Sequence, residues 1–115
     1  MAYTTRIAWE PLRSIDSATF TGSYQAMGFA ATPLVAAPLQ QPSYILKLIN
    51  NSTSLVTISI DGTTDIDVAP ANSFWLYDEY KGIVREGMPA GTQIFVKGSA
   101  GTGSVYLVSQ YLVKS

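Results

Sequence analysis

Cysteine and histidine are both missing from this chain of 115 residues. Without cysteine there can be no disulfide, no thiolate nucleophile and no cysteine-bound metal. Without histidine the chain lacks the most frequent general base, the most frequent zinc ligand and the side chain that titrates near neutral pH. Together these two absences exclude most of the usual catalytic and metal-binding arrangements.

Charge is scarce as well. Charged side chains make up 13% of the residues, about half of the ~25% that is typical of soluble domains. Seven basic and eight acidic residues give a formal net charge of −1, so nothing indicates a basic surface for nucleic acid or anionic lipid. Two interpretations compete. Either this is a domain coated with Ser and Thr, or part of its surface is covered by another protein, and we favour the second.

Long apolar runs are also lacking. The N-terminal residues have no apolar centre of the length that a signal peptide needs, and no segment is predicted to be a transmembrane helix. The longest uncharged run covers residues 17–46, but Gly22, Gly28 and several prolines interrupt it. We therefore expect a protein that is made in a cytoplasm and does not enter a membrane.

What the sequence does contain is alternation with a period of two, which predicts an all-β protein. The predicted strands cover residues 3–10, 17–27, 44–50, 55–60, 65–68, 73–80, 92–97 and 104–113. The fold class that this pattern favours is an antiparallel β-sandwich, jelly-roll-like, or a small barrel of about eight short strands. Residues 44–60 are predicted to form a hairpin. Residues 104–113, apolar on both faces, are predicted to be a central strand covered on both sides.

The length predicts one β domain over residues 1–115, with two special segments. Residues 1–17 are predicted to be an N-terminal strand or arm. Residues 28–43, with the sequence GFAATPLVAAPLQQPS, contain three prolines and cannot form a regular helix or a central strand. Because this proline-rich segment also carries apolar side chains, we predict an extended loop that lies on an apolar surface, either its own core or a neighbour.

Two segments superficially resemble ligand-binding loops. The carboxylates of DGTTDID at residues 61–67 are oxygen ligands of the kind that calcium prefers, but their spacing favours a turn capped by Asp61. The segment GSAGTG at residues 98–103 precedes a predicted strand instead of a helix, which favours a hairpin loop over a phosphate site. No pair of acidic residues indicates a glycosidase. We therefore predict no catalytic residues, no metal site, no cofactor and no enzymatic activity.

Aromatic side chains are the remaining candidates for function. Trp75, Tyr77 and Tyr80 could stack on sugar rings, or they could pack in the core. Phe95 is predicted to lie on the solvent face of its strand, since its two neighbours point inward. The side chains that we predict to contact other proteins are Trp9, Phe29, Leu34, Val35, Leu39 and Phe95.

Residues 44–111 resemble small structural proteins of tailed-bacteriophage virions. The resemblance rests on ILKLINNSTSLVTISIDGTTD at 45–65, VAPANSFWLYDEY at 68–80 and, above all, MPAGTQIFVKGSAGTGSVYLVSQY at 88–111. These segments are turn-and-strand patterns without catalytic residues, and residues 1–43 have no match.

The resemblance implies a non-enzymatic virion protein that is present in many copies. The role that we favour is a capsid decoration (cement) protein that binds and stabilises the particle. A neck or tail component, or a carbohydrate- or receptor-binding module, are the alternatives. The implied partners are the major capsid protein or neck and tail proteins, together with further copies of the chain in a homo-oligomer, but neither nucleic acid nor a membrane. The implied location is the virion, assembled in the host cytoplasm.

Overall fold

The computed structural model describes residues 5–32, 35–78 and 88–114 of the chain. Among these residues the one helical element is a 3-10 turn at Ser17–Thr19, and the prediction of an all-β fold is confirmed. The strands are β1 (Thr5–Trp9), β2 (Arg13–Asp16), β3 (Gln25–Ala26), β4 (Gly28–Phe29), β5 (Ile45–Ser52), β6 (Val56–Ser59), β7 (Asp67–Ala69), β8 (Ser73–Asp78), β9 (Phe95–Lys97) and β10 (Gly103–Lys114).

These strands form two antiparallel sheets. Sheet A has the order β4-β2-β10-β5-β8, and β1 pairs with the C-terminal half of β10 while β2 pairs with its N-terminal half. Sheet B has the order β3-β9-β6-β7. The two sheets pack face to face as a β-sandwich, which agrees with the predicted fold class.

The core lies between the sheets and is built from every second residue of the longer strands. In β5, Leu46 and Leu48 are fully buried, whereas Lys47 between them is exposed. The same alternation buries Val105 and Leu107 of β10 from sheet A, and Val56 and Ile58 of β6 from sheet B. Burying a side chain of this size stabilises the fold by about 1.5–3 kcal/mol relative to leaving it in water.

The predicted hairpin at residues 44–60 is wrong. Its two halves, β5 and β6, belong to different sheets, so residues 53–55 carry the chain across the sandwich. Residues 98–102 do the same between β9 and β10. The two crossings bind each other, because the Thr53 amide donates to the Thr102 carbonyl and the Thr102 amide donates to Thr53 Oγ1, at 3.0 and 3.1 Å. A turn sequence between two alternating segments fits a crossing as well as a hairpin.

Gly103 is required where the second crossing enters β10. Its φ is +93°, and a Cβ atom at this position would lie 2.2 Å from the carbonyl oxygen of Asn51. Both the positive φ and the close approach of β5 exclude a side chain here. The glycine therefore allows β10 to start its pairing with β5 at once.

The predicted strand over residues 17–27 is also wrong. The carboxylate of Asp16 accepts a hydrogen bond from the Ala18 amide, and Thr19 Oγ1 donates to the Asp16 carbonyl, which closes the 3-10 turn. Short polar side chains of this kind compete with sheet formation by bonding to the nearby backbone. Only β3, two residues long, forms part of a sheet within the predicted span.

The proline-rich segment lies on the chain's own core. Leu39 is 3% exposed and Ala37 is 7% exposed. The Leu39 amide donates to the Thr92 carbonyl, and the Gly91 amide donates to the Leu39 carbonyl. Of the two surfaces that the sequence left open for this loop, the core is therefore the one that its middle part occupies.

A buried ion pair holds this loop. Arg13, fully buried in β2, lies 2.9 Å from the carboxylate of Glu10. Its guanidinium also donates to the carbonyls of Ala37 and Pro38 at 2.8 and 2.9 Å. The Glu10 carboxylate in turn accepts the backbone N–H groups of residues 40 and 41. Both charges are thereby compensated, as buried charges must be, and the loop backbone is anchored where it has no strand partner.

Candidate functional site

The outer face of sheet A is apolar and is the main candidate for a functional surface. Pairing between β10, β5 and β8 brings together side chains that point away from the core. Phe74 and Leu76 are 60% and 49% exposed. Lys47 lies in the middle of this surface. The side chains that define this apolar face are Ile45, Ile49, Phe74, Leu76, Tyr106 and Val108, with Trp9 of β1 at its border.

The prediction that β10 is a central strand covered on both faces is confirmed only in part. As predicted, β10 is central in sheet A, with β5 on one side and β1 and β2 on the other. It is not covered on both sides: Val105 and Leu107 are buried against sheet B, but Tyr106 and Val108 remain only partly buried within the described part of the chain. The sequence of β10 therefore has the pattern of a strand with two covered faces, while the described residues cover only one.

The outer face of sheet B differs because the chain covers part of it. The loop between β6 and β7 folds over β9, and the backbone of Gly62 lies against the ring of Phe95. Beside it, Lys97 Nζ lies 3.1 Å from Asp65 Oδ1 and 4.6 Å from the centre of the Tyr24 ring. The Tyr24 hydroxyl donates to the same carboxylate. Polar and charged groups therefore cover this part of sheet B, whereas the outer face of sheet A is mainly apolar around Lys47.

The contact residues predicted from the sequence are scattered in the structure. Trp9 and Val35 are 61% and 63% exposed, on β1 and in the proline-rich segment. Phe29 is partly buried, with the Arg13 guanidinium 4.6 Å from its ring centre. Phe95 is partly buried beneath the loop between β6 and β7. Leu34 lies outside the described residues.

The prediction that Leu39 contacts another protein is wrong, because its side chain is buried in the core and offers no surface to a neighbour. Conversely, most of the side chains on the apolar face were not predicted from the sequence. The signal was present in the alternation of β10, where both faces are apolar, and in Phe74 and Leu76, which alternate with Trp75 and Tyr77. Choosing between the two faces of such a strand requires knowing which sheet packs on it.

An open groove crosses one end of the apolar face. Its volume is about 680 Å³, and Ile49 forms its floor between Phe74 and Tyr106, which are paired with Ile49 from the two neighbouring strands. Lys47 borders it on one side, and Asn51 and Asn72 border it on the other. The two aromatic rings, Ile49 and the Lys47 cation are suited to holding an aromatic or aliphatic group. The other lining residues are polar: Asn50, Asn51, Asn72 and Ser73.

The aromatic side chains of β8 on the opposite face take part in packing. Trp75 and Tyr77 contact the core cluster, and the indole N–H of Trp75 donates to Asp67 Oδ2 at 2.8 Å. A Trp whose ring packs on the core and whose N–H is already bonded has less to offer a sugar ring. Tyr80, the third residue of the predicted sugar platform, lies outside the described residues.

The acidic segment 61–67 forms a capped turn. Asp61 Oδ1 accepts hydrogen bonds from the backbone N–H groups of Thr64 and Thr63 and from the Ser59 hydroxyl, at 2.7–2.9 Å. These bonds, that from Thr64 foremost, hold the pKa of Asp61 well below its usual range. Within residues 5–32, 35–78 and 88–114, no three acidic side chains come together as potential metal ligands.

Comparison with known proteins finds no matching family, no similar curated protein and no similar solved structure. The described part of the chain contains no helix that is long and apolar enough to span a membrane. The resemblance of residues 44–111 to virion proteins therefore remains a prediction from the sequence.

Proposed function

We propose that the protein is a non-enzymatic structural protein of a bacteriophage virion, present in many copies as a capsid decoration protein that binds and stabilises the particle. The observation that carries this proposal is the apolar face, in a chain with so few charges. The resemblance of residues 44–111 supplies the kind of particle, and the surface supplies the reason for assembly.

Leaving an apolar face in contact with water is unfavourable. Soluble monomers rarely expose a continuous apolar patch of more than a few hundred Å². Here seven basic and eight acidic residues serve an accessible surface of 6401 Å², about twice the usual area per charge. Phe74, Leu76 and Trp9 are all about half exposed or more. Such side chains are typical of the centres of protein interfaces, where charge is depleted.

The mechanism that follows is passive. Each copy buries apolar area against neighbouring proteins, at about 25 cal/mol for each Å² removed from water. A subunit that binds the assembled particle in preference to its free components shifts the equilibrium towards assembly by mass action. Many weak contacts on a repeating lattice add up through multivalency.

The test is the composition of particles. We expect mass spectrometry of gradient-purified virions of the source phage to detect the protein at many copies per particle. We also expect purified protein to sediment with heads from which it has been stripped. Its absence from purified virions would overturn the proposal.

Immunogold labelling separates the alternatives by location, because a decoration protein labels the whole head and a neck or tail component labels one vertex or the tail. A glycan-binding module would instead show Trp75 fluorescence that responds to host polysaccharide and is lost in Trp75→Ala.

A further inference from the structure

The apolar face carries both a groove and an exposed aromatic side chain. The groove lies between Phe74 and Tyr106, over Ile49. The aromatic side chain is Trp9, which is 61% exposed and lies on the same outer side of sheet A, since it pairs with Gln110 and Gln110 pairs with Ile45. A surface with a projection and a matching recess can bind a second copy of itself.

The chemistry of the groove suits an indole ring. Phe74 and Tyr106 provide two aromatic walls, and aromatic pairs contribute beyond the area that they bury. Lys47 borders the groove, and a lysine ammonium is attracted most strongly to the face of Trp among the aromatic rings. Trp and Tyr are also over-represented among residues that dominate binding energy.

Trp9 and the groove are placed so that a two-fold symmetric dimer can form both contacts. Ile49 of β5 pairs with Tyr106 of β10, and Trp9 of β1 pairs with Gln110, which is four positions further along β10. Strands β5 and β1 flank β10 on opposite sides. Strand geometry then separates the groove floor from Trp9 by roughly 17 Å, with Val108 midway. A two-fold axis near Val108 would place each Trp9 over the partner's groove, so that both contacts form at once, as an isologous interface requires.

The area of the apolar face is large enough for a dimer interface. Four adjacent strands over the span of residues 104–112 present roughly 500 Å² of sheet face. Two copies packed face to face would bury about 1,000 Å², which reaches the lower bound for specific protein interfaces. The charges in this arrangement are few, since Lys47 faces an indole and Asp16 and Asp78 lie at the ends of the face.

We propose that the apolar face is the interface of a symmetric homodimer, in which Trp9 of each copy occupies the partner's groove between Phe74 and Tyr106. The inference rests on the proposed function only in taking the apolar face as a surface that protein covers. It identifies the occupant as a second copy of the same chain.

The first test is the mass of the purified full-length protein by light scattering over a range of concentrations. We expect twice the monomer mass of 12.4 kDa, and a dissociation constant raised roughly 10- to 30-fold by Trp9→Ala and by Phe74→Ser. The matched control is Val68→Ala, an exposed apolar side chain of sheet B, which should leave the dissociation constant unchanged. Thermal melts followed by circular dichroism establish that each variant is folded.

The second test uses the natural absence of cysteine. Val108→Cys lies near the proposed axis, and since facing sheets lie about 10 Å apart, a short bismaleimide should link two copies through this cysteine, whereas it should not link Val68→Cys. A protein that stays monomeric at high concentration, or a dimer that tolerates Trp9→Ala and resists cross-linking through V108C, overturns the inference. A monomer that still binds stripped heads would support the proposed function and contradict the homodimer. A dimer that is absent from virions would support the homodimer and contradict the proposed function.

Discussion

Glu10 and Arg13 form a buried ion pair that anchors the proline-rich segment. Both side chains are 1% exposed, and their charges are compensated by each other and by the loop backbone. The pair supplies the backbone of the proline-rich segment with hydrogen-bond partners, as strand pairing does in the sheets. Nothing in the sequence indicated that these two charges, among so few, lie inside the protein.

Glu10→Gln should destabilise the protein strongly, because it leaves the guanidinium of Arg13 buried without a counter-charge. We expect a loss of about 3–5 kcal/mol in the free energy of unfolding, measured by urea denaturation. Glu10→Gln combined with Arg13→Met should recover part of this loss. The control is Lys97→Met, which removes a partly exposed partner of Asp65 and should cost much less. Equal losses in the two single variants would contradict the assigned role.

Asp61 should make stability depend on acid pH. Its pKa is lowered in the folded state, so the folded protein binds a proton there less readily than the unfolded chain does. The stabilisation is therefore complete above the ordinary aspartate pKa near 4 and is lost as the pH falls through the lower folded value. Asp61→Asn should be less stable than wild type at neutral pH, and the difference should shrink as the pH falls below about 4. A constant difference across this range would exclude a role for the charge.

At the scale of elements, Asn50 links sheet A to the segments that precede β6 and follow β7. It lies in β5 and is 1% exposed, and its side-chain amide donates to the carbonyls of Ser54, Ala69 and Pro70 at 2.7–3.1 Å. One side chain thus ties the start of β6 and the end of β7 to sheet A. The sequence predicted the strands on either side of the crossing, but their alternation is the same whether the next strand pairs in the same sheet or in the facing one.

Asn50→Ala should therefore cost about 2–3 kcal/mol, since it leaves buried carbonyls without their donor. Asn51→Ala, at the exposed neighbouring position, should stay within about 0.5 kcal/mol of wild type. Chemical denaturation of both variants provides the measurement. A similar stability for the two would show that the crossing does not depend on this amide.

For the whole molecule, the outer faces of the two sheets differ in how far the chain itself covers them. Sheet B is partly covered by its own loop and by charged groups, whereas sheet A presents Phe74, Leu76 and Trp9. The proline-rich segment adds a second exposed apolar position at Val35, while its centre at Leu39 is buried. An assembled particle should therefore protect different parts of this segment to different degrees.

Hydrogen exchange on free protein and on protein bound to particles should show this difference. Peptides that include Val35 should gain protection on particles, because this surface becomes covered, whereas the apolar face is already covered in the proposed homodimer and should change little. Peptides around Leu39, whose amide is bonded to Thr92, should be protected in both states. Identical exchange at Val35 in both samples would contradict burial of this surface by assembly.

The amino-acid sequence alone determined the β character of the chain, the central place of β10 and the scarcity of surface charge, because these depend on local alternation and on composition. Only the tertiary structure decided which sheet each strand joins, that Leu39 and the Glu10–Arg13 pair are inside, and that Tyr106 and Val108 face outward with Phe74. The physical reason is that a period of two specifies two faces for every strand but not the layer that lies against either of them. That choice is made by contacts between residues far apart in the chain.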